Sequence, residues 1–131
     1  MTYASPLAYA TRAAPTRSFR SVEYDLLARA THRLKAAWLR RTEDFPALAA
    51  ALDANQQLWS ALAVDVADDG NGLPAALRAR LFYLAEFTRK HSRNVLDGTA
   101  GVEALADINT AVMRGLRGDG GRKIFGPAQP R

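Results

Sequence analysis

The sequence contains no cysteine among its 131 residues. This absence excludes disulfides, thiolate metal sites and cysteine nucleophiles, and it leaves nothing that requires an oxidising compartment. Long apolar runs are also missing, since the longest, Ala47 to Leu52, falls far short of the roughly 20 residues that a membrane-spanning helix needs. The N-terminus lacks the apolar core of a signal peptide. We therefore expect a soluble cytoplasmic protein that does not insert into membranes.

Residue patterns for catalysis or cofactor binding are equally scarce. The two histidines, His32 and His91, belong to different predicted helices and neither sits in a metal-binding motif. The glycines at 115, 118, 120 and 121 follow a predicted helix, whereas a phosphate-binding loop follows a strand and precedes a helix. No nucleophile can be paired with a base from spacing. We predict no enzymatic activity, no cofactor and no metal site.

Positive charge is concentrated at the two ends of the chain. The formal net charge is +5, yet residues 1–20 carry three arginines and no acid, and residues 114–131 carry five basic residues against Asp119. Residues 21–113 hold ten basic and twelve acidic side chains. The body therefore has no basic excess to spread over a phosphate-binding face, so any contact with nucleic acid is expected through the tails.

The abundant alanine and leucine and the few β-branched residues favour helix over strand. Apolar residues spaced by three and four predict four helices. The first starts at about Ser18, the second at Asp44 and Pro46, the third after Asn71 and Gly72, and the fourth after Gly101, ending at Gly115 or Gly118. Short connections predict an all-α fold, a compact antiparallel bundle of about four helices.

Three regions are predicted along the chain. Residues 1–17 are a flexible leader, residues 18–117 form one helical domain, and residues 118–131 are a disordered, basic, glycine-rich tail. Tyr3, Leu7 and Tyr9 are the only large side chains of the leader, and three interpretations remain open for them: a cap over the bundle, a partner contact, or an unbound tail.

The third predicted helix shows the apolar pattern that the structure tests most directly. Its expected buried residues are Leu77, Leu81, Leu84 and Thr88, supplemented by Phe82, Phe87 and Val95. Asn71 or Gly72 is expected to cap its N-terminus, with Pro74 in its first turn.

Several separated motifs, in order, resemble the flagellar biosynthesis regulator FlaF family. They read Glu23-Tyr24-x-Leu26-Leu27, Trp59-x-x-Leu62-x-x-Asp65, Asn71-x-Leu73-Pro74-x-x-Leu77-Arg78-Ala79, Phe87-x-x-x-His91 and Asp107-Ile108-Asn109-x-x-x-Met113-x-Gly115-Leu116. The resemblance implies a regulator of flagellin production and secretion that works with the partner regulator FlbT and chaperones flagellin. The basic extension after Leu116 is not a recognised family feature.

Candidate partner contacts come from these motifs and from Trp38, which lies near the end of the first predicted helix beside Arg40 and Arg41. The candidates are Tyr24, Trp38, Trp59, Leu73, Arg78, Asn109 and Met113. For Trp59, a core position with its indole N–H bonded is favoured over a partner contact, and for Asn109 an inter-helix clamp is favoured. Leu73 and Arg78 are better explained by the start of the third helix. Trp38 and Met113 are evenly divided between packing and partner contact.

Three functions compete at this point. The leading hypothesis is a flagellin-binding secretion chaperone that also regulates flagellin synthesis. The second is a post-transcriptional regulator that contacts flagellin messenger RNA through the basic tails. The third is a scaffold whose main partner is FlbT, with indirect effects on flagellin.

Overall fold

A computed structural model of the protein describes residues 16–116, with side chains described for residues 23–68 and 70–116. Within these residues the chain forms four α-helices and no strand: α1 (Thr16–Leu39), α2 (Phe45–Ala67), α3 (Ala75–Leu96) and α4 (Glu103–Arg114), with a short 3-10 turn at Asp69–Asn71 between α2 and α3. The predicted all-α bundle is confirmed. The predicted leader and tail lie almost entirely outside the described residues, although α1 begins at Thr16, two residues before its predicted start.

Local residues explain where α2 begins and why α3 cannot begin earlier than it does. The Asp44 carboxylate accepts a hydrogen bond from the Ala47 backbone N–H at 3.1 Å, and Pro46 occupies the first turn, where no N–H partner is needed. Gly72 has a φ of 96°, a left-handed conformation that side-chain-bearing residues rarely adopt. This turn separates α2 from α3.

The predicted capping role of Asn71 or Gly72 is wrong. Pro74 occupies the N-cap position of α3, and no side chain caps that end. Asn71 instead holds the turn together, because its side-chain N–H₂ donates to the Asp65 carbonyl and carboxylate at 3.2 Å and its side-chain oxygen accepts from the Leu73 N–H at 3.1 Å. The asparagine therefore ties the end of α2 to the approach of α3.

The four helices pack in a ring in chain order, but the contacts between neighbouring helices differ in extent. Helix α1 packs extensively against α2 and α4, and α2 packs extensively against α3. Helices α3 and α4 meet at only a few points. The bundle therefore has three well-packed sides and one weakly packed side. No helix in residues 16–116 combines the length and the apolar content needed to cross a membrane.

The core consists of two apolar clusters. We take the end with the α1–α2 and α3–α4 connections as the bottom of the bundle. The lower cluster comprises Leu34, Ala37, Leu48, Ala51, Leu52, Val95, Val102 and Leu105. The upper cluster comprises Leu27, Trp59, Leu62, Val66, Leu81, Ala85 and Val112. Between them lie buried polar side chains, described below.

The third helix departs from its predicted apolar pattern in two ways. Phe82 is 44% exposed, although the sequence predicts it to supplement the core. Leu77, Leu84 and Phe87, also expected in the core, are only half-buried. The buried face of α3 is built from Leu81, Ala85, Thr88, Ser92 and Val95. A helix that packs chiefly against one neighbour buries a narrow stripe, so the flanking large residues remain outside.

Candidate partner-binding surface

A buried chain of hydrogen bonds crosses the bundle between α2 and α4. The Trp59 indole N–H donates to the side-chain oxygen of Asn109 at 2.8 Å, and the Asn109 side-chain N–H₂ donates to the side-chain oxygen of Asn55 at 2.9 Å. All three side chains are 0% exposed. The structure thus agrees with the core position of Trp59 and with the inter-helix role of Asn109. Neither side chain is accessible to a partner, so each can affect binding only by positioning residues at the surface.

Other polar groups complete this layer between the two clusters. The Thr31 and Thr88 hydroxyls donate to the carbonyls of Leu27 and Ala85 at 2.7 and 2.8 Å. The Ser92 hydroxyl and the Asn55 side-chain N–H₂ are buried without a hydrogen-bond partner in the described part of the chain. Because each unpaired buried group costs about 1–3 kcal/mol, this layer does not maximise stability.

The short fourth helix leaves the upper cluster incompletely covered. Helices α1, α2 and α3 have 24, 23 and 22 residues, whereas α4 has 12. At 1.5 Å per residue, α4 is about 18 Å long against about 33–36 Å for the others. The half-buried apolar residues that consequently surround the upper cluster are Leu26, Leu58, Ala61, Ala63, Leu73, Leu77, Leu84, Ile108, Met113 and Leu116. Around the lower cluster, only Trp38 and Ala100 have this character.

Three of the predicted contact residues lie at this upper end. Leu73 and Met113 both pack against the upper cluster while remaining partly exposed. Tyr24 is half-buried on α1, one turn before the buried Leu27. They come from the α2–α3 turn, α4 and α1, so the fold brings together residues that are far apart in sequence.

Arg78 acts as a brace beside Leu73. Its guanidinium donates to the backbone carbonyl of Leu73 at 3.3 Å and to that of Val66 at 3.2 Å. The second bond satisfies a carbonyl in the last turn of α2, where intrahelical donors run out. Arg78 therefore fixes the position of the upper turn, in agreement with the structural interpretation favoured from the sequence.

Trp38 stands apart, at the bottom of the bundle. Its half-buried ring packs against the lower cluster and lies close to Gly101, where an added Cβ would come within 3.4 Å of the ring. The Arg41 guanidinium sits 4.0 Å from the ring centroid, a cation–π contact. The structure thus does not bring Trp38 together with the other predicted contact residues.

One feature that the sequence interpretation missed is a buried acid near the top of α1. Glu23 is only 4% exposed, and its Oε2 has no hydrogen-bond partner among the described residues. Burial, followed by the nearby negative charge of Asp65, raises the pKa of Glu23 to about 8. Its spacing could have revealed it, because Glu23 lies four residues before Leu27 on the apolar stripe.

Metal ligation has no candidate in the described residues, where no group of three or more histidines, aspartates or glutamates is arranged to hold an ion. The surface offers apolar contact and basic charge, which suit binding of another macromolecule.

A search of the curated proteins and a search of the solved structures found no match for this chain. The model of one protein family, described as Flagellar protein FlaF, matches residues 5–116, which include all four helices. The chain therefore belongs to the FlaF family of flagellar proteins, and its role lies in the biogenesis of the flagellum.

Proposed function

We propose that this protein is a cytoplasmic, non-catalytic chaperone that binds flagellin monomers before export and regulates flagellin synthesis. Family membership supplies the flagellar context. The observation that carries the proposal is the difference between the two ends of the core: half-buried apolar residues ring the upper cluster, while the lower cluster has almost none. Partly exposed apolar residues gathered in one place are typical of a binding surface.

The proposed client has the matching chemistry. Unpolymerised flagellin has terminal segments that form amphipathic helices, and a helical protein can receive the apolar face of such a helix between its own helices. Burying apolar surface contributes about 25 cal/mol per Å² removed from water, less the cost of ordering the bound segment. Covering the terminal segments of flagellin also prevents them from starting a filament too early.

A titration of the full chain with monomeric flagellin, followed by calorimetry in physiological salt, tests this function. We expect saturable binding with a negative heat-capacity change, because apolar surface is buried. Assembled filaments are the matched control, since their flagellin termini are already packed and should not bind. A second readout is the delay of flagellin polymerisation by equimolar protein. The proposal fails if the monomer gives no heat and polymerises at its usual rate.

The charge distribution supports a second candidate function. The whole positive excess lies at residues 1–20 and 114–131, which suits contact with flagellin messenger RNA, alone or in a complex with FlbT. Replacing Arg117, Arg122 and Lys123 by glutamine should then weaken RNA binding and reduce its salt dependence without affecting flagellin binding. If the protein co-purifies with FlbT but never binds flagellin or RNA, a scaffold for FlbT becomes the preferred function.

A further inference from the structure

The weakly packed side of the bundle is the seam between α3 and α4. Its bottom is fastened, because the His91 imidazole Nε2 lies 2.9 Å from the carbonyl oxygen of Gly101 in the α3–α4 connection. The Phe87 ring stacks on the same imidazole, with centroids 5.4 Å apart. The two helices themselves make few contacts. The seam is therefore fastened at its bottom through the connection, and the two helices that form it are weakly packed against each other.

One flank of α3 faces this seam. His91 reaches Gly101 in the α3–α4 connection, and Leu84 and Phe87 precede it by seven and four residues, which places all three on the same side of the helix. The opposite flank of α3 is committed to α2, since Arg78 reaches the Val66 carbonyl there. Leu84 and Phe87 are both half-buried. Their exposed surface is thus presented toward α4 and solvent.

Helix α4 contributes a matching apolar strip. Ala104, Ile108 and Ala111 recur at spacings of four and three and are all half-buried. Helix α1 packs along α4 as well, and Met113 lies on the other side of the buried stripe formed by Leu105, Asn109 and Val112. Ala106, on the Met113 side of that stripe, is only 4% exposed. The Met113 side is therefore the one covered by the extensively packed α1, and the strip through Ile108 faces α3.

The border of the seam on α3 is basic and aromatic. Helix α3 carries five basic side chains and one acid, Glu86, the largest basic excess of the four helices. Lys90 follows Phe87 by three residues and Arg80 precedes Leu84 by four, so both belong to this border. Tyr83, between them, is 68% exposed. By contrast, α2 carries two acids and no base.

We propose that the seam between α3 and α4 receives one amphipathic helix of a protein partner, whose apolar face contacts Leu84, Phe87 and Ile108 and whose polar edge beside α3 is acidic. The occupant inserts where α3 and α4 leave apolar surface uncovered, and its acidic edge pairs with Lys90. Tyr83 provides a rigid amphipathic contact at the edge. This inference rests on the proposed function, in which the partner helix belongs to monomeric flagellin.

A matched pair of truncations tests the apolar part. Ile108→Ala shortens a half-buried residue in the seam, and Leu26→Ala shortens a half-buried residue on α1, three residues after Glu23 on the flank nearer α2. Both lose packing against the upper cluster. In titrations with flagellin monomer, we expect Ile108→Ala to weaken binding about tenfold or more and Leu26→Ala to change it less than about threefold. Equal effects would overturn the seam as the site, while leaving flagellin binding itself intact.

A second pair tests charge without disturbing packing. Lys90 and Lys35 are both exposed lysines, on α3 and α1 respectively. Lys90→Glu should weaken flagellin binding about five- to tenfold at low ionic strength, with the difference shrinking as salt is raised, because exposed charges are screened. Lys35→Glu should leave binding within about twofold. Unchanged affinity for Lys90→Glu would remove the acidic edge from the proposal.

Site-specific crosslinking identifies the occupant directly. Because the full chain has no cysteine, Ala111→Cys carries the only thiol and can be labelled with a photoactivatable crosslinker; Ala50→Cys, exposed on α2, is the control. A crosslink from position 111 to a flagellin terminal segment, absent from position 50, is the expected result. Crosslinks to this chain's own residues 1–15 or 117–131, or to a second copy, in the presence of flagellin would overturn it. If the unaltered chain binds no flagellin at all, the proposed function and this inference both fail.

Discussion

The upper and lower halves of the bundle have similar buried cores but differ in the half-buried apolar residues that surround them. Each half contains an apolar cluster of seven or eight buried residues drawn from all four helices. The lower cluster lies between two short connections and has few half-buried apolar neighbours. The upper cluster has ten such neighbours, and within residues 16–116 the α2–α3 turn is the connection above it. The ring of half-buried apolar neighbours therefore distinguishes the upper half, whereas the exposed apolar residues of the lower end, Leu39, Phe45 and Leu96, lie singly at helix ends.

The buried polar layer makes this division sharper. Trp59, Asn55 and Asn109 are fully buried and hydrogen-bonded across the bundle at the level where the two clusters meet. Polar groups in a core stabilise less than apolar packing of the same shape, but they accept only one register of the helices. The layer thus fixes the position of α4 diagonally across the bundle from α2, and through α4 it fixes the seam.

The largest expected effect compares one leucine from each half. Leu34→Ala removes a side chain that is 0% exposed in the lower cluster and should lower the free energy of unfolding by about 2–5 kcal/mol, from lost transfer energy and a cavity. Leu84→Ala removes a half-buried side chain of the seam and should cost about 1 kcal/mol. Urea unfolding followed by circular dichroism measures both.

Flagellin binding should show the opposite order. Leu84→Ala is expected to weaken binding about tenfold, whereas Leu34→Ala should retain the affinity of the unaltered chain at temperatures where it is folded. Equal stability losses for the two variants would mean that the upper end is as closed as the lower end, and the contrast between the halves would disappear.

The polar layer gives the next largest effect. Asn109→Ala leaves the Trp59 indole N–H and the Asn55 side-chain oxygen without their partner, and at about 1–2 kcal/mol for each of these neutral buried groups the loss should total about 2–4 kcal/mol. In a Trp59→Phe background the same substitution should cost less, because the indole donor is already gone. A double-mutant cycle in urea measures this coupling; strictly additive losses would show that the 2.8 Å contact contributes no coupling energy.

Glu23 provides a pH test of the upper half. Its pKa, near 4.5 in the unfolded chain, is raised to about 8 by burial and by Asp65, so the folded state binds a proton that the unfolded state releases between these values. Stability should be greatest below pH 4.5 for this group and fall as pH rises toward 8, at up to about 1.4 kcal/mol per pH unit. Between pH 5 and 7 the loss is about 2–3 kcal/mol.

Glu23→Gln keeps the shape and removes the titration. The variant should show a flatter dependence of unfolding free energy on pH between 5 and 8, and it should exceed the unaltered protein in stability above pH 8. His32→Gln, on the exposed side of α1, is the control and should reproduce the slope of the unaltered chain. A Glu23→Gln variant with an unchanged slope would show that some other group takes up the proton.

The sequence predicted the fold well because its helices are strongly periodic and clearly punctuated. Asp44 before Pro46 marks the start of α2, which the structure places at Phe45 with Asp44 as its N-cap. The Trp59 hydrogen bond was also anticipated in kind, since a buried indole N–H requires an acceptor. That its acceptor is Asn109, fifty residues away, requires the tertiary arrangement.

The binding surface was less predictable, because it depends on unequal helix lengths and on which helix pairs fail to pack. Periodicity identifies an apolar residue but does not say whether a neighbouring helix covers it, and for this reason Phe82 was expected inside and lies 44% exposed. Glu23 was missed because carboxylates are rarely buried, although its position on the apolar stripe pointed inward. Leu73 and Met113 lie at the upper end, yet their contact with a partner stays a prediction.

The smallest expected effects come from the turns at the two ends. Asp44→Ala removes the carboxylate that caps α2 at the lower end and should cost about 1 kcal/mol. Asn71→Ala removes three hydrogen bonds of the upper turn, most of them partly exposed, and should cost a similar amount. Thermal unfolding of both variants checks this match.

Flagellin affinity should separate the two variants. Asn71 positions Leu73 beside the upper cluster, so its loss should weaken binding about three- to fivefold, while the Asp44 variant binds as before. Equal affinities would indicate that the upper turn is held well enough without Asn71, and would confine the binding surface to α3 and α4.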